Sequence, residues 1–182
     1  MEGMDLNLKA SGEGSGAKRL RSRLADEASR LLESAVYSAQ GQFEAAKRWR
    51  QAHWCLGGFT AAASAVAAVL TFATSTLQTV AGILAIAAAL SAAVHTTINP
   101  EKRAERAESA ANDYTALRDD LRQFGLLRVL DGDPSALQED LSKYSNRAAN
   151  INRKADPIPG FAYKRAKRNI EIEGGQQFVT DS

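Results

Sequence analysis

Hydroxyl and imidazole side chains recur at roughly four-residue steps inside a stretch of the sequence that carries no charge. In apolar surroundings such groups turn toward protein or water, where they can hydrogen-bond. They fall into two stripes, Thr60, Ser64, Thr71 and Ser75 in the first half of the stretch, and Ser91, His95 and Asn99 in the second. Two interpretations stay open. The hydroxyls bond backbone carbonyls one turn earlier, or they line a water-filled lumen assembled from several copies.

The sequence contains no motif for catalysis or for binding a cofactor. Cys55 is the single cysteine, and His53 and His95 are the two histidines. A structural zinc site needs four such ligands, and a disulfide needs two cysteines. There is also no Gly-rich phosphate loop and no nucleophile motif. We therefore expect no catalytic residue, no metal and no cofactor, and we expect that the chain is not an enzyme.

The uncharged stretch runs from Gln51 to Pro100, and all 23 basic and 21 acidic residues lie outside it. One membrane span needs about 20 apolar residues, so the stretch accommodates two. We place them at residues 54–73 and 78–98, joined by a turn at 74–77. The alternative is a buried helical pair in a water-soluble protein, but such a pair normally carries a charged stripe. The pattern favours two transmembrane helices in a hairpin, with the lipid bilayer as a partner.

Basic residues flank both predicted spans, whereas the turn between them has none. The flanking residues are Lys47, Arg48 and Arg50 before the first span and Lys102, Arg103 and Arg106 after the second. Because cytoplasmic loops carry the excess of basic residues, both termini are expected in the cytoplasm. Trp49, Trp54 and His53 lie at the predicted membrane interface, where amphipathic rings are favoured. The formal net charge of +2 predicts no nucleic-acid partner.

Small residues form a second pair of stripes in the two spans. Because they let helix backbones approach closely, they predict helix contacts in a membrane. The residues are Gly57, Ala61, Ala65 and Ala68 in the first span and Ala81, Ala85, Ala89 and Ala92 in the second. The contacts lie either between the two spans of one chain or between copies in a homo-oligomer, and the sequence leaves both open.

The charged segments on either side predict further helices. Residues 1–17 read as a flexible Gly- and Ser-rich leader, and residues 174–182 as a disordered tail. Between them a single domain, residues 18–173, is expected to contain cytoplasmic helices at 18–53, 100–124, 134–154 and 159–171. Apolar residues from Tyr114 to Phe124 recur at steps of three and four and should pack against the first helix. The predicted fold class is an all-α membrane protein, with a two-helix transmembrane hairpin extended by long cytoplasmic helices.

Three stretches of the sequence resemble the SLATT domain family, the two-transmembrane domains associated with SMODS and SLOG proteins in prokaryotic conflict systems. They are FEAAKRWRQAHWCLGG before the first span, NPEKRAERAESAANDYTALRDDLR after the second, and DPIPGFAYKRAKRNIE near the end. The resemblance covers about residues 20–172. It rests on the order of features and not on a catalytic signature.

The resemblance implies a multi-pass effector of the inner membrane in antiviral defence. Such an effector is proposed to oligomerise and to form pores or disrupt the membrane when a sensor, or a nucleotide-second-messenger synthase encoded nearby, is triggered. The alternative is a passive membrane anchor or scaffold whose cytoplasmic helices recruit a partner protein.

Overall fold

A computed structural model describes the backbone of residues 2–72, 75–128 and 132–173, and the side chains at 16, 18–72, 76–128 and 132–173. In chain order the helices are α1 (Glu2–Thr71), α2 (Ser75–Ile98), α3 (Pro100–Gln123), a π-helical turn (Phe124–Arg128), α4 (Pro134–Lys154) and α5 (Gly160–Glu171). Over these ranges there is no β-strand, which confirms the prediction of an all-helical chain. Two stretches, one within α1 and one beginning in α2, are long and apolar enough to cross a membrane.

The chain divides into two compact units. One, here called the polar unit, consists of Met1–Gln42 together with Ser109–Ser182. The other, here called the apolar unit, is Phe43–Glu108 and includes all of α2. The helices α1 and α3 contribute residues to both units.

The polar unit is held together by a hydrophobic core between α1, α3 and α4. Leu117, Leu121 and Phe124 are almost completely buried there, in one cluster with Leu24 of α1 and Leu137 of α4. This confirms that the apolar stripe after the second span packs against the first helix. Burying each large apolar side chain contributes about 1.5–3 kcal/mol, so this cluster is the main source of stability in the polar unit.

The start of α4 is fixed by Asp133 and Pro134. The Asp133 carboxylate accepts hydrogen bonds from the backbone N–H groups of Ser135 and Ala136, at 3.2 and 3.3 Å. Proline suits the first helical turn because its missing N–H would have no partner there. The hydrogen bond from the Ser135 hydroxyl, helped by these backbone bonds, holds the pKa of Asp133 below its ordinary value.

Asn99 separates α2 from α3 by a single residue in the left-handed region, with φ of 46°. Asparagine tolerates this conformation better than most residues. Its side-chain oxygen accepts a hydrogen bond from the Lys102 backbone N–H at 3.3 Å, which caps α3. Pro100 and Glu101 follow in the first turn of α3, where proline and an acidic residue are both favourable.

Two sequence predictions about the helix boundaries are wrong. Residues 2–17 continue α1 and do not form a separate leader, because a helix once nucleated propagates through glycines at about 1 kcal/mol each. Residues 75–77 belong to the first turn of α2 and not to the connection, since the polar residues Ser75 and Thr76 suit a turn whose N–H groups lack helical partners. The predicted helix 100–124 agrees with α3 to within one residue, and the π-helical turn follows it. Residues 73 and 74 and the predicted tail lie outside the described residues.

Gly41 of α1 is a contact point and not merely a weak position in the helix. A Cβ atom added there would lie 3.0 and 3.1 Å from side-chain carbons of Ile158. Next to it, the Gln42 side-chain amide donates to the Asp156 carbonyl at 2.8 Å. Ile158 stands between Pro157 and Pro159, whose rings restrict the backbone. The segment that leads into α5 therefore packs directly against the α1 backbone.

We expect Gly41→Ala to weaken the packing of Ile158 against α1. Alanine normally stabilises a helix interior by about 1 kcal/mol relative to glycine, but here its methyl group collides with a side chain that two prolines hold in place. Overpacking of this kind costs about 1–3 kcal/mol. Hydrogen exchange should therefore become faster at the α5 amides.

Gly160→Ala is the matched control, because a Cβ atom at Gly160 meets nothing within 4 Å. The double variant Gly41→Ala with Ile158→Ala lacks the colliding side chain. Its α5 amides should therefore exchange no faster than those of Ile158→Ala alone. Unchanged protection of α5 in Gly41→Ala would contradict the proposed close contact.

Candidate functional site

Polar contacts join α1 and α2 along the apolar unit. The Gln78 amide donates to the Thr71 carbonyl at 3.4 Å, and the hydroxyls of Thr60 and Ser91 lie 3.0 Å apart. Residue numbers in these pairs rise along α1 as they fall along α2. The segment has few hydrogen-bonding side chains. Each such pair gives a polar group a partner that its apolar surroundings would not supply.

The close contact between the two helices is made by alanines. Ala63 and Ala67 of α1 and Ala81 and Ala88 of α2 retain only 4–6% of their exposure. A methyl group lets the two backbones approach closely and gives many weak van der Waals contacts over the interface. These four are the buried apolar side chains that the structure describes between residues 54 and 98.

Most large apolar side chains of the same segment are exposed and lie away from the contact. Val69 is 72% exposed, and Ile83, Ile86 and Leu90 are each 64% exposed. In a water-soluble protein the burial pattern is the reverse, with Leu, Ile, Val and Phe inside. The polar unit follows that ordinary pattern, and the apolar unit inverts it.

A groove of about 630 Å³ opens along one side of the α1 and α2 contact. Its walls are small or polar throughout: Thr60, Ser64, Ala67, Ala68 and Thr71 from α1, and Gln78, Ala81, Gly82, Ala85, Ala88, Ala89 and Ala92 from α2. No bulky side chain fills it. The groove is therefore open to side chains from outside the pair.

Two groove hydroxyls bond their own helix. Thr60 Oγ1 lies 2.8 Å from the Leu56 carbonyl, and Thr71 Oγ1 donates to the Ala67 carbonyl at 2.8 Å. At these positions the structure follows the first interpretation of the polar stripe, in which hydroxyls bond the preceding turn. Ser64 is an exposed residue of the groove wall.

The structure brings some of the sequence candidates together and separates others. Thr60, Ser64, Thr71, Ala68, Ala81, Ala85, Ala89 and Ala92 all line the groove. Ser91 meets Thr60, while the side chain of Ser75 lies outside the described residues. Ala61 and Ala65 are exposed away from the groove, and a Cβ atom at Gly57 would meet nothing within 4 Å.

Sequence reasoning missed Ala63, Ala67 and Ala88 as contact residues because its stripes advanced mainly in steps of four. Each step of four advances a helix by about 400°, so the stripe drifts by about 40° per step. A stripe through 57, 61 and 65 therefore winds away from the partner helix. Mixed steps of three and four, as in 60, 63 and 67, stay on one face.

Aromatic and charged residues gather where the uncharged segment ends. The Arg103 guanidinium lies 5.0 Å from the centre of the Trp49 ring, and Arg50 pairs with Glu108 at 2.5 Å. His53 lies edge-on to Trp54, with ring centres 5.6 Å apart, and its Nδ1 is 3.2 Å from Nε2 of His95. Pairing residue 53 with residue 95 is what the predicted turn near 76 requires.

The basic flank is partly neutralised within the apolar unit. Lys47 pairs with Glu44 at 2.7 Å, and Arg50 with Glu108. Lys102 and Arg106 are exposed, and Arg48 has interactions of its own. Positive charge therefore remains on both sides of the uncharged segment.

No known family model, curated protein or solved structure matches this chain. The chemistry of the groove therefore rests on its own residues. Among the described residues no group of three or more histidine, cysteine, aspartate or glutamate side chains is placed to hold a metal ion.

We expect Ala88→Leu to weaken the α1 and α2 contact, because Ala88 is 4% exposed and a larger side chain there overpacks the interface by about 1–3 kcal/mol. The readout is the SDS concentration at which tryptophan fluorescence changes in detergent-purified protein. Trp49 and Trp54 are the two tryptophans of the chain, so the signal reports on the apolar unit.

Ala93→Leu adds the same side chain at an exposed position of α2 and serves as the control. Its transition should match that of the unmodified protein. Equal transitions for Ala88→Leu and Ala93→Leu would show that the alanine contact does not hold the pair together.

Proposed function

We propose that the chain is an integral membrane protein in which α2 and the C-terminal part of α1 cross the bilayer as a hairpin. The observation that carries this proposal is the inverted burial of the apolar unit. Alanines occupy the helix contact, and large apolar side chains face outward. Lipid tails satisfy such an exterior, whereas water penalises it by about 25 cal/mol per Å² of apolar surface.

A buried helix pair of a water-soluble protein is the competing account. It requires the apolar helices to be enclosed by other elements, yet only 11% of each apolar window is buried. Exposed apolar patches on soluble monomers rarely exceed a few hundred Å². Here large apolar side chains are exposed along both helices, from Phe59 to Val94.

The orientation follows from the basic flanks. Basic residues stand before residue 51 and after residue 100, whereas the connection near residue 75 has none. The positive-inside rule then places both ends of the chain in the cytoplasm of a prokaryotic cell and the connection on the outer side of the inner membrane. Trp49 and the exposed Trp54 lie at the cytoplasmic interface in this arrangement.

We expect a membrane-impermeant maleimide added to intact cells to label Thr76→Cys. Ser22→Cys and Ser142→Cys should react only after the membrane is permeabilised. All three positions are exposed, so access to the reagent depends on the membrane. The variants carry Cys55→Ser, because Cys55 is itself exposed.

If Ser22→Cys and Ser142→Cys are labelled in intact cells and Thr76→Cys is not, the orientation is the opposite of the one proposed. Labelling of all three at equal rates in intact cells would exclude a membrane barrier between them.

Within this membrane protein, the groove supports a role as an oligomerising effector. Two helices cannot enclose a pore, so several copies are required. The groove offers small walls for close helix approach and carries Thr60, Ser64, Thr71 and Gln78 on its surface. Polar groups of this kind turn toward protein or water when they lie within a membrane.

The resemblance to SLATT domains supplies the biological setting of the proposal. It implies that the oligomer forms pores or disrupts the inner membrane during antiviral defence. The trigger is a sensor or nucleotide-signalling partner encoded nearby. The groove supports the assembly step, and the resemblance alone supports the trigger.

A passive anchor or scaffold is the second candidate, and one observation favours it. Leu126 and Leu127, in the π-helical turn of the polar unit, are 61% and 71% exposed. Exposed leucines side by side are a feature of protein contact surfaces. In this case the polar unit recruits a partner, and the membrane stays sealed.

The two candidates are separated by a matched pair of alanine substitutions. Ala68→Leu fills the groove, whereas Ala62→Leu adds the same side chain at an exposed position outside it. Both raise the hydropathy of α1 equally. If the groove mediates assembly, triggered cells with the unmodified protein or Ala62→Leu should depolarise, and cells with Ala68→Leu should lose most of the response. A membrane-potential dye is the measurement.

Ser64→Leu is the companion variant, because it removes an exposed hydroxyl from the groove wall. The amount of each variant in the membrane must be equal, since a misfolded pair would also be inactive. Full activity of Ala68→Leu would exclude the groove as the assembly surface. If abundant unmodified protein, given its neighbouring genes and trigger, leaves the membrane sealed, the effector proposal fails and the scaffold stands.

A further inference from the structure

The contact between His53 and His95 lies outside the groove. His53 belongs to α1 and His95 to α2, and their nitrogens Nδ1 and Nε2 are 3.2 Å apart. The ring centres are 5.0 Å apart, and the planes are tilted by 47°. Both side chains are half-buried, so solvent reaches them. The pair therefore presents two ring nitrogens, from two helices, at one accessible place.

This separation is close to that of two nitrogen ligands on one metal ion. Zinc lies about 2.0–2.1 Å from imidazole nitrogens in a tetrahedral site, which puts two such nitrogens roughly 3.3 Å apart. A hydrogen bond at 3.2 Å aims the two nitrogens at each other. Modest rotations of the rings about their Cβ–Cγ bonds redirect both lone pairs to a point beside the line that joins them.

The proton balance of metal binding is simple. In the hydrogen-bonded pair one of the two facing nitrogens carries a proton and donates the hydrogen bond, and the other nitrogen accepts that bond. When a metal binds, the proton on the donor ring moves to the other nitrogen of the same ring. Both facing nitrogens are then free to ligate, and each imidazole stays neutral.

We infer that His53 and His95 form a two-histidine site for a divalent transition-metal ion of the Zn²⁺ or Cu²⁺ class. Imidazole is a favoured ligand of these ions. Structural zinc sites use four protein ligands, and the described residues contain no cluster of three or more. The proposed site is thus not the four-ligand structural site that the sequence excludes, and water would fill its remaining coordination positions. The bound ion clamps α1 to α2 next to Trp49 and Trp54.

The site stands apart from the proposed function. It requires only the contact between His53 and His95, whether or not the protein forms pores. A failure to bind metal would leave the effector proposal untouched. A failure to depolarise cells would leave the metal site untouched.

The test uses the full chain, purified in detergent without a histidine tag and carrying Cys55→Ser. Titration calorimetry with Zn²⁺ should give one ion per chain. Because one ligand is lost, His53→Ala and His95→Ala should each weaken binding at least about tenfold. His53 and His95 are the only histidines in the sequence, so the signal has no background from other imidazoles.

A second measurement separates ligation from a structural effect of the substitutions. Electron paramagnetic resonance with Cu²⁺ should show coupling to two imidazole nitrogens in the Cys55→Ser protein and to one in either single variant. His53→Gln keeps a polar side chain at the contact and should behave like His53→Ala. Addition of Zn²⁺ should raise the SDS midpoint, measured by tryptophan fluorescence, in the Cys55→Ser protein. It should leave the midpoint unchanged in the histidine variants.

Three results would overturn the assignment. They are equal Zn²⁺ binding by the Cys55→Ser protein and both alanine variants, a Cu²⁺ spectrum with fewer than two imidazole nitrogens, and a stoichiometry of one ion per two chains. The last result would mean that the histidines of separate copies share the metal.

Discussion

The contact of α1 with α2 through alanines is the constraint on which the apolar unit depends. Small side chains make up most of the buried interface, and most of the large apolar side chains lie on the outward faces of the two helices. That outward placement makes an apolar exterior unavoidable. The same close approach brings Thr60 to Ser91 and His53 to His95, because two backbones held together by methyl groups leave little room between their side chains. The groove is the strip along this contact that no side chain fills.

The polar unit is built on the opposite principle. Leucine, tyrosine and phenylalanine side chains interlock between α1, α3 and α4, and polar groups secure the edges. The Arg21 guanidinium donates to the Gly132 carbonyl at 2.9 Å, and Tyr37 donates to Glu171 at 3.1 Å. One helix, α1, thus takes part in a core made of large side chains and in a contact made of small ones. Its sequence changes from leucine-rich to alanine-rich accordingly.

The sequence allowed the helical class and much of the layout to be predicted, because the relevant signals are local. The absence of charge between Gln51 and Pro100 marks the apolar helices. Asp133 with Pro134 marks the start of α4. The apolar stripe through Leu117, Leu121 and Phe124 identifies a core face. Each of these depends on neighbours within a turn or two.

Other features depend on the partner that the chain meets in space, and the sequence carries no local sign of them. Gly41 reads as a weak helix position until Ile158, far along the chain, is found against it. The faces of α1 that carry Ala61 and Ala63 are equally rich in alanine, and only the position of α2 distinguishes them. Several groove residues, among them Thr60, Ser64 and Ala85, belong to the predicted stripes, but Ala67 and Ala88 do not. The shape of the groove could not be predicted, since its width depends on how closely the helices approach.

Alanine has no side-chain torsion to lose, so pairing α1 with α2 costs almost no rotamer entropy. An interface of leucines would order many side chains each time it formed. Forming the contact therefore requires little ordering of its alanine side chains. The α2 helix of a second copy presents the same alanines as the chain's own α2. Exchanging one for the other would replace like with like, as in a domain swap, and the balance between the two states would be set by protein concentration.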